Sequence, residues 1–130
     1  MKPEKIWANL TVEDIDRTTK FYTELGFKPN GNFKSEELTS FLFGEDEFVI
    51  HFFLREVLKS NVKGEIADLK YGNEIIFTLS AGSKEEVDNW ESEVKNAGGT
   101  IVSGAEEFGK GYYGFVFADP DGHKFNVFYM

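Results

Sequence analysis

Residues 6–12 read Ile-Trp-Ala-Asn-Leu-Thr-Val, a β-branched and aromatic stretch that predicts a strand. Glu13 and Asp14 follow, acids where a helix N-terminus favours negative charge. Ile15, Thr18, Phe21, Tyr22 and Leu25 then recur near helical spacing on one face. Gly26 stands where a left-handed cap would stop that helix, at about Leu25. Extended stretches come next at 27–33, 38–44 and 47–54, punctuated by turn formers at Asn30-Gly31, 35–37 and 44–46. This half reads βαβββ.

The order then repeats. Residues 74–80 predict a strand, Ser83 and Glu86 stand at capping-box spacing, and Val87, Trp90, Val94 and Ala97 mark a buried helical stripe ended by Gly98-Gly99. Three further strands fall at 100–103, 112–118 and 124–129. The last two are joined through Asp119-Pro120-Asp121-Gly122, which has the Pro and Gly placement of a type I turn. Laid over one another, the halves match Leu10 with Leu79, Trp7 with Ile76 and Phe41-Leu42-Phe43 with Phe115-Val116-Phe117. His51 and Asn126 are then pseudo-equivalent, provided the second hairpin loop is one residue longer. One domain is expected over 1–130: repeat one at about 5–54, an insert at 55–73 that is partly helical around 55–59, and repeat two at about 74–130.

Alternation along the strands names a face. Val49, His51 and Phe53 oppose Phe48, Ile50, Phe52 and Leu54. If the all-apolar set packs on a helix, His51 looks into the concave side, and Asn126 and Phe128 do so from the last strand. Trp7, Phe53, Phe128 and Tyr113 would give that hollow aromatic walls, with Asn9 sharing the face of Trp7. The competing reading is ordinary packing: aromatics as core, His51 satisfied by a carbonyl or by Asn126. An imidazole titrates near neutrality, so His51 is the one candidate for a catalytic or proton-accepting role. Trp90 is assigned to the core and His123, in the turn after Asp121-Gly122, to solvent.

Composition removes several classes of function. The 14 Phe, 5 Tyr and 2 Trp among 130 residues imply a dense core. The formal charge is -9 and no basic stripe is present, which argues against nucleic acid. Without cysteine there is no disulfide framework, thiolate metal site or thiol nucleophile. A signal peptide and an apolar run of about 18 residues are both missing, so no membrane partner is expected and the cytoplasm is the default compartment. Acidic pairs such as Asp14 with Asp16 and Glu106 with Glu107 sit on loop or helix surfaces and are read as solvated charge.

The paired βαβββ order, with Val12-Glu13-Asp14-Ile15 leading into Phe21-Tyr22-Thr23-Glu24-Leu25-Gly26-Phe27 and closing on Asp119-Pro120-Asp121-Gly122-His123-Lys124, resembles the glyoxalase, bleomycin-resistance and extradiol-dioxygenase (vicinal oxygen chelate) superfamily. Within it, the aromatic-Asn-Leu opening, mid-chain insert and Asp-Gly-His end are similar to the predicted lactoylglutathione lyase subgroup. The resemblance implies an α+β fold of two βαβββ repeats forming a half-open barrel, a homodimer, and in metal-dependent members four ligands from the first and last strands of each half. Those positions fall here at Trp7, His51, Ile76 and Asn126. Only His51 is a good donor among them, so no metal ligands or cofactor are assigned. The favoured expectation is a metal-free binder of a small apolar or aromatic molecule, comparable to the drug-sequestering branch, contacted by Trp7, Asn9, His51, Phe53, Tyr113, Asn126 and Phe128; the acidic surface would suit a cation. Two alternatives stay open: a metal-dependent lyase, isomerase or dioxygenase using zinc, nickel or iron, and a vestigial interaction module.

Overall fold

The Asp14 carboxylate accepts a hydrogen bond from the Arg17 N–H at 3.0 Å, and helix α1 (Ile15–Glu24) begins behind that cap. Ile15, Thr18, Phe21 and Tyr22, the residues spaced to share one face, are its buried ones. The computed structural model describes residues 1–130, in two units, Met1–Ile66 and Ala67–Met130.

In the first unit, β1 (Ala8–Val12), β2 (Lys28–Pro29), β3 (Leu38–Phe43) and β4 (Phe48–Leu54) form one sheet in the order β1-β4-β3-β2. β1 runs parallel to β4 and the other pairs are antiparallel. Helix α1 covers one face. There Tyr22, fully buried, stacks on Phe52 at 4.7 Å between ring centroids and meets Phe41 at 5.6 Å and Phe43 at 5.7 Å. Truncating such a ring in a closed core costs about 3–5 kcal/mol. Helix α2 (Arg55–Val62) follows β4 directly and packs against β1 and β4, with Lys63 in the left-handed region at φ 55 as its cap.

The second unit repeats the plan with β5 (Phe77–Ser80), α3 (Lys84–Ala97), β6 (Thr100–Phe108), β7 (Tyr112–Ala118) and β8 (Lys124–Tyr129), ordered β5-β8-β7-β6. Ser83 caps α3 by accepting from the Glu86 N–H at 3.0 Å, and Gly98 ends it at φ 95, a conformation that glycine alone adopts without strain. Phe115, Phe117, Phe125 and Val127 lie beneath α3, with Phe117 and Phe125 stacked at 5.1 Å. The architecture is therefore α+β, two βαβββ modules whose mixed four-stranded sheets stay open. No helix is long and apolar enough to cross a membrane.

Several local expectations are corrected. The strand expected at 27–33 shrinks to Lys28–Pro29, because Pro29 has no N–H to extend the ladder and Gly31 turns the chain at φ 53. The insert helix runs on to Val62, β5 starts three residues late at Phe77, and β6 continues past 103 to Phe108 through two register shifts. His123 is buried, at 8% exposure: the Asp119 side chain folds back to accept from the Asp121 and His123 N–H groups, each at 2.9 Å, and draws the turn inward. Trp90 is half-buried. In the observed register His51 faces Asn9 and Ser40, while Asn126 faces Thr78 and Val116. Ser40 therefore corresponds to Val116, and the overlay of Phe41-Leu42-Phe43 on Phe115-Val116-Phe117 was two residues out of step.

Candidate functional site

Alternation fixes which side chains leave the helix-covered face of the first sheet. Thr39, Phe41 and Phe43 of β3 and Ile50 and Phe52 of β4 are buried under α1, where Thr19 also bonds Thr39 at 2.9 Å. Leu38, Ser40, Leu42, Val49, His51 and Phe53 therefore line the other face, and register adds Asn9 beside His51 and Thr11 beside Phe53. A polar row, Asn9–His51–Ser40, crosses this face, whose other members, Thr11 apart, are apolar.

The row is tied together by hydrogen bonds. His51 Nδ1 lies 2.8 Å from Ser40 Oγ, and Asn30 Nδ2 donates to the same oxygen at 3.1 Å. The Asn30 backbone N–H also donates to the Ser40 carbonyl at 3.0 Å, which anchors the loop after β2. Ser40 is only 2% exposed, with Asn30 and His51 both bonded to its hydroxyl.

Aromatic rings surround the imidazole. Trp7 stands edge-on at 6.3 Å between centroids, Phe53 edge-on at 5.9 Å and Phe33 tilted at 5.8 Å. Trp7 is 52% and Phe33 58% exposed, so about half of each side chain is open to solvent. Burial holds the His51 pKa below its ordinary 6.5, because partial removal of water disfavours the imidazolium. Burial thus favours the neutral form of an imidazole set within an aromatic frame.

The second sheet differs at the same positions. Asn126 sits between Thr78 and Val116, and Phe128 is wedged against Phe108 at 4.6 Å and Tyr112 at 5.8 Å. Phe128 packs over Gly114, where a Cβ would meet its ring at 3.0 Å and collide with the Val127 carbonyl oxygen. Tyr113 does not join this face. Its hydroxyl donates to Asp88 of α3 at 2.6 Å and Lys84 sits 5.5 Å above its ring, both on the helix side. The Asp88 carboxylate, accepting that bond, raises the phenol's pKa.

The structure thus brings Trp7, Asn9, His51 and Phe53 together on one sheet, places Asn126 and Phe128 on the other, and turns Tyr113 away. Asn30, Phe33 and Ser40 escaped the sequence reading. Ser40 had left a signal, as the polar member of Leu38-Thr39-Ser40-Phe41-Leu42-Phe43 that shares parity with the outward leucines. The donor set does not fit a divalent ion: Trp7 and Ile76 carry no lone pair for it, an amide is a weak ligand, and no group of three or more His, Cys, Asp or Glu is placed to hold one. A surface pocket of about 470 Å³ at the end of α2 is lined by Glu56, Lys59, Ser60, Lys63, Gly64 and Glu65. With no aromatic wall, it has none of the features gathered around His51.

A family model described as Glyoxalase/Bleomycin resistance protein/Dioxygenase superfamily matches residues 6–127. Among solved structures the chain is similar to a hypothetical protein from S. aureus, at 28% identity and TM-score 0.86, covering 100% of this chain and 96% of that one. It is also similar to a glyoxalase-related enzyme from Fulvimarina pelagi, at 21% identity and TM-score 0.85 over 98% and 89% of the two chains. A lactoylglutathione lyase from Agrobacterium tumefaciens gives 20% identity and TM-score 0.70 over 98% and 95%. Identities of 21% and 20% show a common fold alone. No curated protein matches the sequence.

Proposed function

The chain belongs to the Glyoxalase/Bleomycin resistance protein/Dioxygenase superfamily, and on that premise we propose that it binds a small, flat, partly apolar organic molecule around His51, without a metal ion. The observation that carries the reading is the frame of Trp7, Phe33 and Phe53 around an imidazole whose Nδ1 is engaged by buried Ser40. Each aromatic contact with a flat ligand is worth about 0.5–1.5 kcal/mol beyond the area it buries. The lining has no thiol, no paired carboxylates and no metal-binding cluster, which favours holding a ligand over transforming it. Within the superfamily we place the chain beside the predicted lactoylglutathione lyase subgroup for its opening and closing motifs, without lyase chemistry, and we expect it to act as a homodimer.

Melting shifts test this against a panel of planar aromatics, using wild type, Trp7→Ala and His51→Ala. Ligand at about a hundred times its dissociation constant adds roughly 2.7 kcal/mol of stability. The shift should shrink clearly in both variants, to about half where one hydrogen bond worth about tenfold is lost, and equal shifts in all three proteins would remove the site. Metal analysis runs alongside: stoichiometric zinc, nickel or iron that disappears in His51→Ala would replace binding with metal-dependent catalysis.

A further inference from the structure

We infer that Asn30 and Ser40 lock His51 as its Nε2–H tautomer, so that the aromatic frame presents one fixed N–H donor and selects neutral aromatic carbonyl compounds. This rests on the binding role proposed above and names the ligand class for the same site. A hydroxyl has one proton to give and two lone pairs to receive. Asn30 Nδ2 donates to Ser40 Oγ at 3.1 Å and occupies a lone pair. The bond from the Asn30 N–H to the Ser40 carbonyl at 3.0 Å keeps that amide in place. The second lone pair could take a proton from Nδ1–H, but the Ser40 proton would then have no acceptor, since the hydroxyl bonds only Asn30 and His51; with Nδ1 as the acceptor, 2.8 Å away, every group is used. Once Nδ1 accepts, the ring proton resides on Nε2.

Nε2 makes no hydrogen bond within the chain and is not fully buried, so it is open to a ligand. A fixed N–H repels a cation and welcomes an acceptor oxygen. The formal charge of -9 disfavours carboxylates, which leaves a neutral carbonyl as the best match. Asn9, next to His51 in register and exposed, supplies a second polar contact beside the rings of Trp7, Phe33 and Phe53. Asn30 and Ser40 are positioning residues and touch the ligand only through His51.

Long-range nitrogen–proton NMR of the imidazole reads the tautomer directly. Wild type should show a pyridine-like Nδ1 and a protonated Nε2. In Asn30→Asp the new carboxylate takes the Ser40 proton, Ser40 then accepts from Nδ1–H, and the tautomer inverts; in Ser40→Ala both tautomers should appear. Three probes complete the test: acetophenone, its carbon isostere α-methylstyrene, and benzyltrimethylammonium, each followed by shifts of the Trp7 and His51 signals. Acetophenone should bind wild type about tenfold more tightly than the other two, the worth of one hydrogen bond, and lose that preference in Asn30→Asp. A protonated Nδ1 in wild type would overturn the lock. Equal binding of the three probes would overturn the ligand class and leave the binding role standing, whereas no perturbation of Trp7 and His51 by any probe would remove both.

Discussion

Replacing Ser40 with alanine deletes one oxygen from a position only 2% exposed and strands two partners at once, Asn30 Nδ2 at 3.1 Å and His51 Nδ1 at 2.8 Å. A hydrogen bond contributes about 0.5–1.5 kcal/mol net, and an orphaned buried group costs about 1–3 kcal/mol. Asn30 and His51 are half-buried, so water recovers part of that loss, and the lower part of each range applies. We expect Ser40→Ala to destabilise the first unit by about 1–2 kcal/mol. With a urea m-value of about 2 kcal/mol/M, the midpoint falls by roughly 0.5–1 M at unchanged slope. Trp7 lies in the unit that carries Ser40 and Trp90 in the other, so fluorescence in a Trp90→Phe background assigns the transition. A double-mutant cycle with Asn30→Ala should return about 0.5–1 kcal/mol of coupling. A midpoint that does not move, or zero coupling, would refute the idea that Asn30, Ser40 and His51 act as one chain.

Three further outcomes follow from other parts of the molecule. Because burial places the folded His51 pKa below the ordinary 6.5, the unfolded chain takes up a proton that the fold resists. Wild type should therefore lose stability as pH falls from 6.5 toward the folded pKa, relative to His51→Gln; denaturation curves at several pH values that run parallel would contradict the assignment. Gly114→Ala places a methyl against the Val127 carbonyl and the Phe128 ring, and should cost about 3 kcal/mol in the second unit, read by Trp90 fluorescence; wild-type stability would show that β7 and β8 can part there. Tyr113→Phe removes a bond to Asp88 on the helix side, so ligand-induced melting shifts should be unchanged, and a reduced shift would return Tyr113 to the ligand face.

Both long helices were legible because their signals are local: Asp14 and Ser83 cap, Gly98 terminates, and the apolar spacing matches 3.6 residues per turn. β7 and β8 were bounded as they stand, since the turn chemistry between them is dense. What escaped depends on partners far along the chain. Nothing near Asn30 announces that its amide reaches Ser40, and the overlay of halves slipped because two Phe-x-Phe patterns match as well as the register the sheets adopt. For Tyr113 parity already discloses the helix side, since it alternates with Phe115 and Phe117, the buried pair. Turn propensity alone assigns His123 to solvent, because it says nothing of the Asp119 carboxylate that closes the turn on itself and buries the imidazole.

The parallel pairing of β1 with β4 also sets an order of assembly. Ser40 and His51 stand on strands joined by a short turn and meet by closing a small loop. Trp7 and Asn9 reach His51 only once about forty intervening residues have been gathered in, a slower and entropically costlier event. β1 is moreover an edge strand, paired with β4 alone. During folding the Ser40–His51 pair should therefore form before its tryptophan wall, and in the folded protein that wall hangs on an edge strand. Amide exchange faster along Ala8–Val12 than along Phe48–Leu54 would show the His51 face opening by the release of one strand, with helix and hairpin intact.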